Sequence, residues 1–410
     1  MLQALRIRDF RLLWFARSVS LLGSWLLVVA IPAHVLHLTG SLAATGLTLA
    51  AEFLPPVLLG PIAGVLVDRW DRRRVMVLAD VLRAVAIGLL LVVRDPGDVW
   101  LVYAALVAES VGTVCFRPAA QAHTPVVVGT GPALSGANSL NAVTDGVVRL
   151  VGGPAGGALL GVAGFHVLVW ADVATYLLSA VAVLATARRT AGPRRRGGVR
   201  AVFVELGEGL VFLRGERTAS ALFVVNGVFL CANASLTALL VPFGVRQLGG
   251  TGGTGLVLSA LGVGFLLGAP LVRVLVDRLP PGHLLGASLA GTAVGFVLLF
   301  GSASLGAALP SAVLVGAFGS LSLVVAQTLV QRVTPNPVLG RVGAVLFTGE
   351  AVATFVGALA GPVVAEATSV AAAALVACGA TVFAAVLAVV LVPRSPMRVE
   401  RPEPEAPSVR

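Results

Sequence analysis

The chain has 410 residues, of which 57% are hydrophobic and only 12% charged, and its mean hydropathy is +0.97. Soluble domains carry about 25% charged residues, so a water-soluble globular fold is excluded, and no stretch is polar enough to form a separate soluble domain. The net charge of +10 does not make a nucleic-acid face, because the basic residues sit in short loops between apolar runs; all 29 are arginine, and the absence of lysine excludes a Walker A phosphate loop and Schiff-base chemistry.

A helix needs about 20 apolar residues to cross the hydrocarbon core of a bilayer. Windows of that length predict helices over 11–38, 41–67, 75–94, 98–122, 132–160, 166–187, 219–247, 253–277, 283–303, 306–331, 341–366 and 369–392. The first apolar run, Leu12 to Leu38, is too long for the core of a cleaved signal, and no small-residue cleavage site follows it. Turn chemistry marks the breaks, as at Arg94-Asp95-Pro96-Gly97-Asp98, Gly129-Thr130-Gly131-Pro132, Leu248-Gly249-Gly250-Thr251 and Thr334-Pro335-Asn336-Pro337. The one long polar interval, Thr190 to Arg217, begins as a basic flexible linker. It continues from Val202 to Leu213 as an amphipathic segment opposing Glu205 and Glu208 to Phe203, Leu206, Leu210 and Phe212, where a helix lying at the membrane interface is expected. The expected division is a first bundle over 1–187, a linker over 188–217, a second bundle over 218–393 and a tail over 394–410.

Arginine placement sets the orientation. Arg6, Arg8 and Arg11 precede the first helix, and Arg69, Arg72, Arg73 and Arg74 fill the loop between the second and third. The central linker holds Arg188, Arg189, Arg194, Arg195, Arg196 and Arg200, and the tail holds Arg394, Arg398, Arg401 and Arg410. The opposite loops offer little beyond Arg94 and Arg246. Both termini are therefore expected in the cytoplasm, with the chain crossing the cell membrane many times.

The two halves repeat. Val65-Leu66-Val67-Asp68-Arg69 recurs as Val274-Leu275-Val276-Asp277-Arg278, with Pro61 matched by Pro270; Gln121-x-x-Thr124-Pro125 recurs as Gln331-x-x-Thr334-Pro335, and Gly153-Pro154 as Gly361-Pro362. Three matches at one offset of 208–210 residues, each at an equivalent helix position, imply six helices followed by six in the same orientation.

Gly64-Val65-Leu66-Val67-Asp68-Arg69-Trp70-Asp71-Arg72-Arg73-Arg74 resembles the signature of the major facilitator superfamily, Gly-x-x-x-Asp-Arg-x-Gly-Arg-Arg, with Asp71 in place of the second glycine. The copy at Asp277 and Arg278 is degenerate: Arg273 replaces the glycine, and the basic cluster is gone. The resemblance implies an all-α membrane protein with twelve transmembrane helices in two pseudo-symmetric six-helix bundles. It also implies a cytoplasmic latch, in which Asp68 meets the unpaired N–H groups of the helix starting near Arg341, and Arg69, Arg72 and Arg73 pair with acidic groups or lipid phosphates. The plainer alternative is that these arginines only enforce topology. Phe10-Arg11-Leu12-Leu13-Trp14 with Ser20 and Gly23, Phe116-Arg117-Pro118-Ala119 with Gln121, and Gly340-Arg341-Val342 are similar to the exporter branch containing macrolide efflux and enterobactin export proteins. Gly153-Pro154-Ala155-Gly156-Gly157 is one residue short of the antiporter pattern Gly-Pro-x-x-Gly-Gly, and close helix packing explains it equally well.

Charges at mid-membrane cost roughly 2.5–3.5 kcal/mol, so each needs a partner, a watery cavity or a coupling role. Asn138, Asn141, Asp145 and Arg149 form one stripe, with Asp145 and Arg149 spaced for an intrahelical ion pair. Asn226 and Asn233, with Thr237, line the seventh helix, and Gln327 lies in the tenth; these and the first stripe are the cavity candidates. Glu109, Glu52 and Glu350 have no basic residue one turn away, which makes them the candidates for carrying a proton, Glu109 first. The alternative for each is a static pair with an arginine of another helix, such as Arg17, Arg83 or Arg117. Asp80 and Arg83 are expected near the cytoplasmic end of the third helix, supporting the latch. His34 and His37 read as an interfacial pair, and Cys115, Cys231 and Cys378 as packing residues; no metal site, cofactor or catalytic constellation is expected.

The expected function is secondary active transport by alternating access, exporting a small lipophilic or amphipathic compound in exchange for protons. The expected partners are membrane lipids, that compound and protons, with no nucleic acid, and the chain is expected to act as a monomer. An importer of a small nutrient and a non-transporting membrane sensor are the alternatives.

Overall fold

The computed structural model describes residues 2–129, 132–187, 199–275 and 278–392. Asp277, most of the basic linker and the tail lie outside the described residues, as do the side chains of Asp68, Arg69 and Arg149 and the environment of Gly64.

A short helix α1 (Leu2–Leu5) leads into six long ones: α2 (Arg8–Thr39), α3 (Leu42–Arg69), α4 (Arg72–Gly88, extended by a 3₁₀ turn over Leu89–Val92), α5 (Val99–Val128), α6 (Pro132–Ala163) and α7 (Phe165–Leu184). After α8 (Val199–Gly215) come α9 (Arg217–Gln247), α10 (Gly250–Leu275), α11 (Pro281–Phe300), α12 (Leu305–Val333), α13 (Asn336–Ala367) and α14 (Val370–Leu391). Twelve of these, α2–α7 and α9–α14, are long and apolar enough to span a membrane. The chain is a multi-pass membrane protein of twelve spanning helices. Two faces follow from alternating directions: an arginine-rich face carrying the α3–α4 loop and α8, and an arginine-poor face opposite.

Local chemistry explains several boundaries. Asp71, standing where the family signature has glycine, keeps an ordinary φ of −66° and caps α4 by accepting from the Arg74 N–H at 3.1 Å. Pro55 and Pro56 do not break the second spanning helix, which runs unbroken through them. Proline 56 cannot donate to the Glu52 carbonyl one turn back, and the Ser110 hydroxyl of α5 donates to that carbonyl instead, at 2.5 Å. Arg73 donates to the last carbonyls of α7, at Val183 (3.1 Å) and Leu184, where the helix dipole favours a cation. Arg72 donates to the Ala122 carbonyl of α5 at 2.8 Å. These two arginines thus staple main chain within the first half.

The halves meet through small residues. A Cβ on Gly46 of α3 would lie 2.2 Å from Pro362 Cγ of α13, and one on Gly255 of α10 would lie 2.7 Å from Pro154 Cα of α6. The two contacts are pseudo-symmetric, each setting a glycine of one half on the proline of a repeated Gly-Pro pair in the other. Gly156 and Gly357 likewise admit the Leu26 and Cys231 carbonyls within their own halves, at 2.2 and 1.9 Å from a built Cβ. The near-antiporter sequence in α6 therefore performs close helix packing here.

Candidate functional site

Among the described residues, the polar contacts between halves lie toward the arginine-poor face. The Glu366 carboxylate at the end of α13 accepts from Ser41 Oγ at 3.0 Å and from the Ala43 N–H at 2.8 Å, in the unpaired first turn of α3. Thr251 Oγ1 donates to the Gly157 carbonyl at 3.2 Å, and Ser259 Oγ to the Leu150 carbonyl at 2.6 Å. An apolar cluster of Leu36 and Leu42 with Leu239, Ala365 and Ala373 seals the same end. The arginine-poor face is closed in this conformation.

Inside the first half lies a cavity of about 100 Å³. Its walls are apolar side chains of α2, α3, α4 and α5, among them Leu27, Ile31, Pro32, Leu49, Ile87 and Leu106. Into it come three carboxylic acids from three helices: Glu52 of α3, Glu109 of α5 and Asp172 of α7. Among the described residues, no basic side chain lines it.

The acids differ in their bonding. Glu109 Oε1 accepts from Tyr176 Oη at 2.8 Å and Thr113 Oγ1 at 2.9 Å, and Tyr176 Oη lies 2.9 Å from Ser24 Oγ of α2. Asp172 is 1% exposed; its Oδ1 accepts from Thr175 Oγ1 at 3.0 Å, and its Oδ2 is buried with no partner. Glu52 is solvent-accessible from the cavity, and among the described residues its carboxylate makes no hydrogen bond or ion pair. Space for Asp172 comes from α2, where a Cβ on Gly23 would lie 2.2 Å from both Asp172 Oδ1 and Thr175 Oγ1.

Behind the acids sits the single buried cation of the cluster. Arg83 of α4 pairs with Asp80, which also accepts from Ser179 Oγ of α7 at 2.6 Å. The guanidinium carbon lies 4.5 Å from the Phe116 ring centre and 4.6 Å from that of Tyr176, a double cation–π contact. Gly112 of α5 makes room for it, since a Cβ there would lie 2.6 Å from Arg83 Cγ. Arg83 is paired with Asp80, so the three cavity acids share one cation that already has an acid partner. Three carboxyl groups in an apolar enclosure cannot all stay ionised without a counter-charge, so protons or a bound cation must balance them.

Three acids thus converge in an apolar cavity within one six-helix half, and the halves are sealed against each other at the arginine-poor face. The family described as transmembrane secretion effector matches residues 1–407. The chain belongs to this family of major facilitator transporters. Macrolide efflux protein A of Streptococcus pyogenes is 28% identical to this transporter over 245 residues, covering 59% of this chain and 60% of that protein. The multidrug efflux pump Tap of Mycolicibacterium fortuitum is 28% identical over 265 residues, covering 63% and 65%. The alignment to each thus spans somewhat under two thirds of the relative's length. The solved structure of the nucleoside transporter NupG superposes with a TM-score of 0.74 at 13% identity, over 95% of this chain and 99% of that one, and shares the fold.

Within the transporter, the residues picked out by sequence separate into groups. Glu52 and Glu109 meet in the cavity, while Glu350 lies in the second half and accepts from Asn226 Nδ2 at 2.7 Å. Asp145 pairs with Arg17 of α2 at 2.6 Å, across helices; the side chain of Arg149, its expected partner, lies outside the described residues. Asn141 Oδ1 is buried without a partner, Asn138 and Gln327 are exposed, and Asn233 is half-buried; none of them lines the cavity. Arg278 is exposed. Asp80 and Arg83, expected beside the latch, instead form the buried base of the acid cluster. His34 stacks on Phe165 with ring centres 3.9 Å apart. Asp172 was missed altogether. The signal for it was a polar stripe, Asp172, Thr175, Tyr176 and Ser179 at i, i+3, i+4 and i+7, on a helix otherwise rich in Leu, Val and Ala.

Proposed function

We propose that this transporter exports a small lipophilic compound in exchange for protons, with the two six-helix halves moving as units about the seam between them. The observation that carries the reading is the convergence of Glu52, Glu109 and Asp172 in one apolar cavity without a basic lining residue. Such a group binds and releases protons as its surroundings change. The names of the two efflux relatives support export.

In this proposal the arginine-rich face, with both termini, is cytoplasmic, so the conformation described is closed to the outside. Opening outward requires Glu366 to leave the first turn of α3 and the glycine–proline contacts to part. The expected inner counterpart is Asp68 on the first turn of α13; the same two helices would then latch at either end in turn. Beside that turn, α8 packs Gly209 against the Arg341 carbonyl, and Glu208 pairs with Arg341 at 2.8 Å, while Phe203, Val204, Leu210 and Val211 remain exposed. The chain acts as a monomer, with protons, its compound and lipids as partners. One proton entering across about 100 mV supplies roughly 2.3 kcal/mol, enough for about a fifty-fold gradient of a neutral compound.

The test is uptake of fluorescent or radiolabelled drugs into inside-out vesicles containing the protein. Transport is expected to stop when nigericin and valinomycin dissipate the proton gradient. Unchanged transport would remove the proton.

A further inference from the structure

Helix α8 carries two apolar faces, and the structure covers one of them. On the covered face, Gly209 lies so near the first turns of α13 that an added Cβ would sit 2.6 Å from the Arg341 carbonyl oxygen. Leu213, 3% exposed, packs on that side with Val342. On the other face Phe203, Val204, Leu210 and Val211, at i, i+1, i+7 and i+8, form a stripe that is exposed throughout, Val211 at 70%. Glu205 and Glu208 stand off this stripe, and Glu208 is paired with Arg341 at 2.8 Å.

Position and charge identify what the open face meets. A single residue, Glu216, joins α8 to the spanning helix α9 and caps it by accepting from the Thr218 N–H at 3.1 Å. The stripe is therefore held at the end of a spanning helix, where hydrocarbon gives way to head groups. Arg188, Arg189, Arg194, Arg195, Arg196 and Arg200 lead into it, and the exposed Arg214, on the same side as Leu210 and Val211, closes it. An apolar stripe bracketed by arginines suits anionic phospholipid, whereas a second copy of the chain would set like charges against each other. The helix also touches both halves, seated on α13 of the second and reaching α3 of the first.

We propose that α8 is a docking surface for anionic phospholipid, and that lipid bound there favours the conformation closed at the arginine-poor face. Acyl chains cover the stripe, and phosphates meet the arginines beside it. A ligand shifts an equilibrium only as far as its affinities for the two states differ. Both halves make the seat of α8, so the seat is complete only in their present arrangement, and lipid that binds the seated helix better stabilises that arrangement. Neither the exported compound nor the proton takes part, so this proposal and the export reading fail separately.

The test uses the full chain, its three cysteines replaced by serine, in nanodiscs of phosphatidylcholine alone or with added phosphatidylglycerol. A spin label on Val211→Cys is expected to meet oxygen and to be shielded from the water-soluble relaxant nickel-EDDA, and one on Glu205→Cys to show the reverse. Paired labels on Gly40→Cys and Thr368→Cys read closure at the arginine-poor face. Phosphatidylglycerol is expected to raise the ratio of short to long distances by about fivefold, the effect of one arginine near an anionic surface. Replacing Arg194, Arg195 and Arg196 together by glutamine is expected to abolish that rise, and Glu208→Ala, which loosens the seat, to reduce it. Equal access of nickel-EDDA to both α8 sites puts the stripe in water and overturns the docking surface. Exclusion of both relaxants from Val211→Cys means that protein covers the stripe, and overturns it as well. Distances that ignore phosphatidylglycerol overturn the control of conformation, and because α8 is unaltered in that measurement, no folding defect in an α8 variant can obscure the result.

Discussion

The interiors of the two halves share a backbone plan and differ in chemistry. The polar site inside α4 has its counterpart on α11, which carries no Asp, Glu, Lys or Arg over Pro281–Phe300 and whose buried polar side chains are Ser288 and Thr292. In the first half that site holds a buried ion pair tied to Ser179, Phe116 and Tyr176; in the second it holds a hydroxyl pair, Ser322 Oγ to Ser288 Oγ at 3.0 Å, inside a cluster of Leu222, Val225, Leu285, Leu289 and Val325. The Glu350–Asn226 contact is the second half's nearest equivalent to the acid cavity, and it is a single neutral–acid bond. A duplicated six-helix frame therefore does not require charge for its packing. Where charge is retained in one copy, its desolvation must be compensated locally, which is why Arg83 has an acid, two aromatic faces and a glycine cradle around it.

This contrast can be broken most forcefully at its base. Asp80→Ala leaves Arg83 buried and unpaired, and is expected to destabilise the protein by about 3–5 kcal/mol, whereas Ser288→Ala should cost about 1 kcal/mol. Thermal unfolding of both variants in one detergent measures the difference. Equal losses would mean that the pair is no more than a packing feature.

A smaller effect is expected at the pseudo-symmetric seam. Gly46→Ala forces a methyl group onto Pro362, and overpacking of this kind costs about 1–3 kcal/mol, here only in the conformation closed at the arginine-poor face. Spin labels on Gly40→Cys and Thr368→Cys should report a larger population of long distances. Gly255→Ala, its counterpart on Pro154, should act in the same direction. An effect from one glycine alone would sharpen the comparison by showing that the halves do not share the gate equally. Glu366→Gln keeps the shape and removes the charge from the α3 cap, so a shift of about 0.3–1 kcal/mol in the same distances is expected.

Much of the fold was legible because spanning helices announce themselves by length and hydropathy, and arginines by their loops. Glu52 and Glu109 were legible as candidates because neither has a cation one turn away in its own helix. What sequence spacing could not supply was contact between helices. Asp145 met Arg17 from α2, and Arg83, judged by its place near Asp80, turned inward onto Tyr176 of α7. Asp172 was hidden because a lone acid early in a predicted helix reads as interfacial; only its alignment with Thr175, Tyr176 and Ser179 marks the buried face. The value of Gly23 was equally invisible until its neighbour, Asp172, was in place.

The proposed export depends on proton exchange at the first-half acids. The most direct measurement is acid-driven accumulation of an exported compound in proteoliposomes by the native protein, by a Glu52→Gln/Glu109→Gln/Asp172→Asn triple variant, and by Glu350→Gln. Loss of the gradient-dependent part in the triple variant, with only a few-fold reduction in Glu350→Gln, is the predicted result. Accumulation by the triple variant at the native level would contradict it.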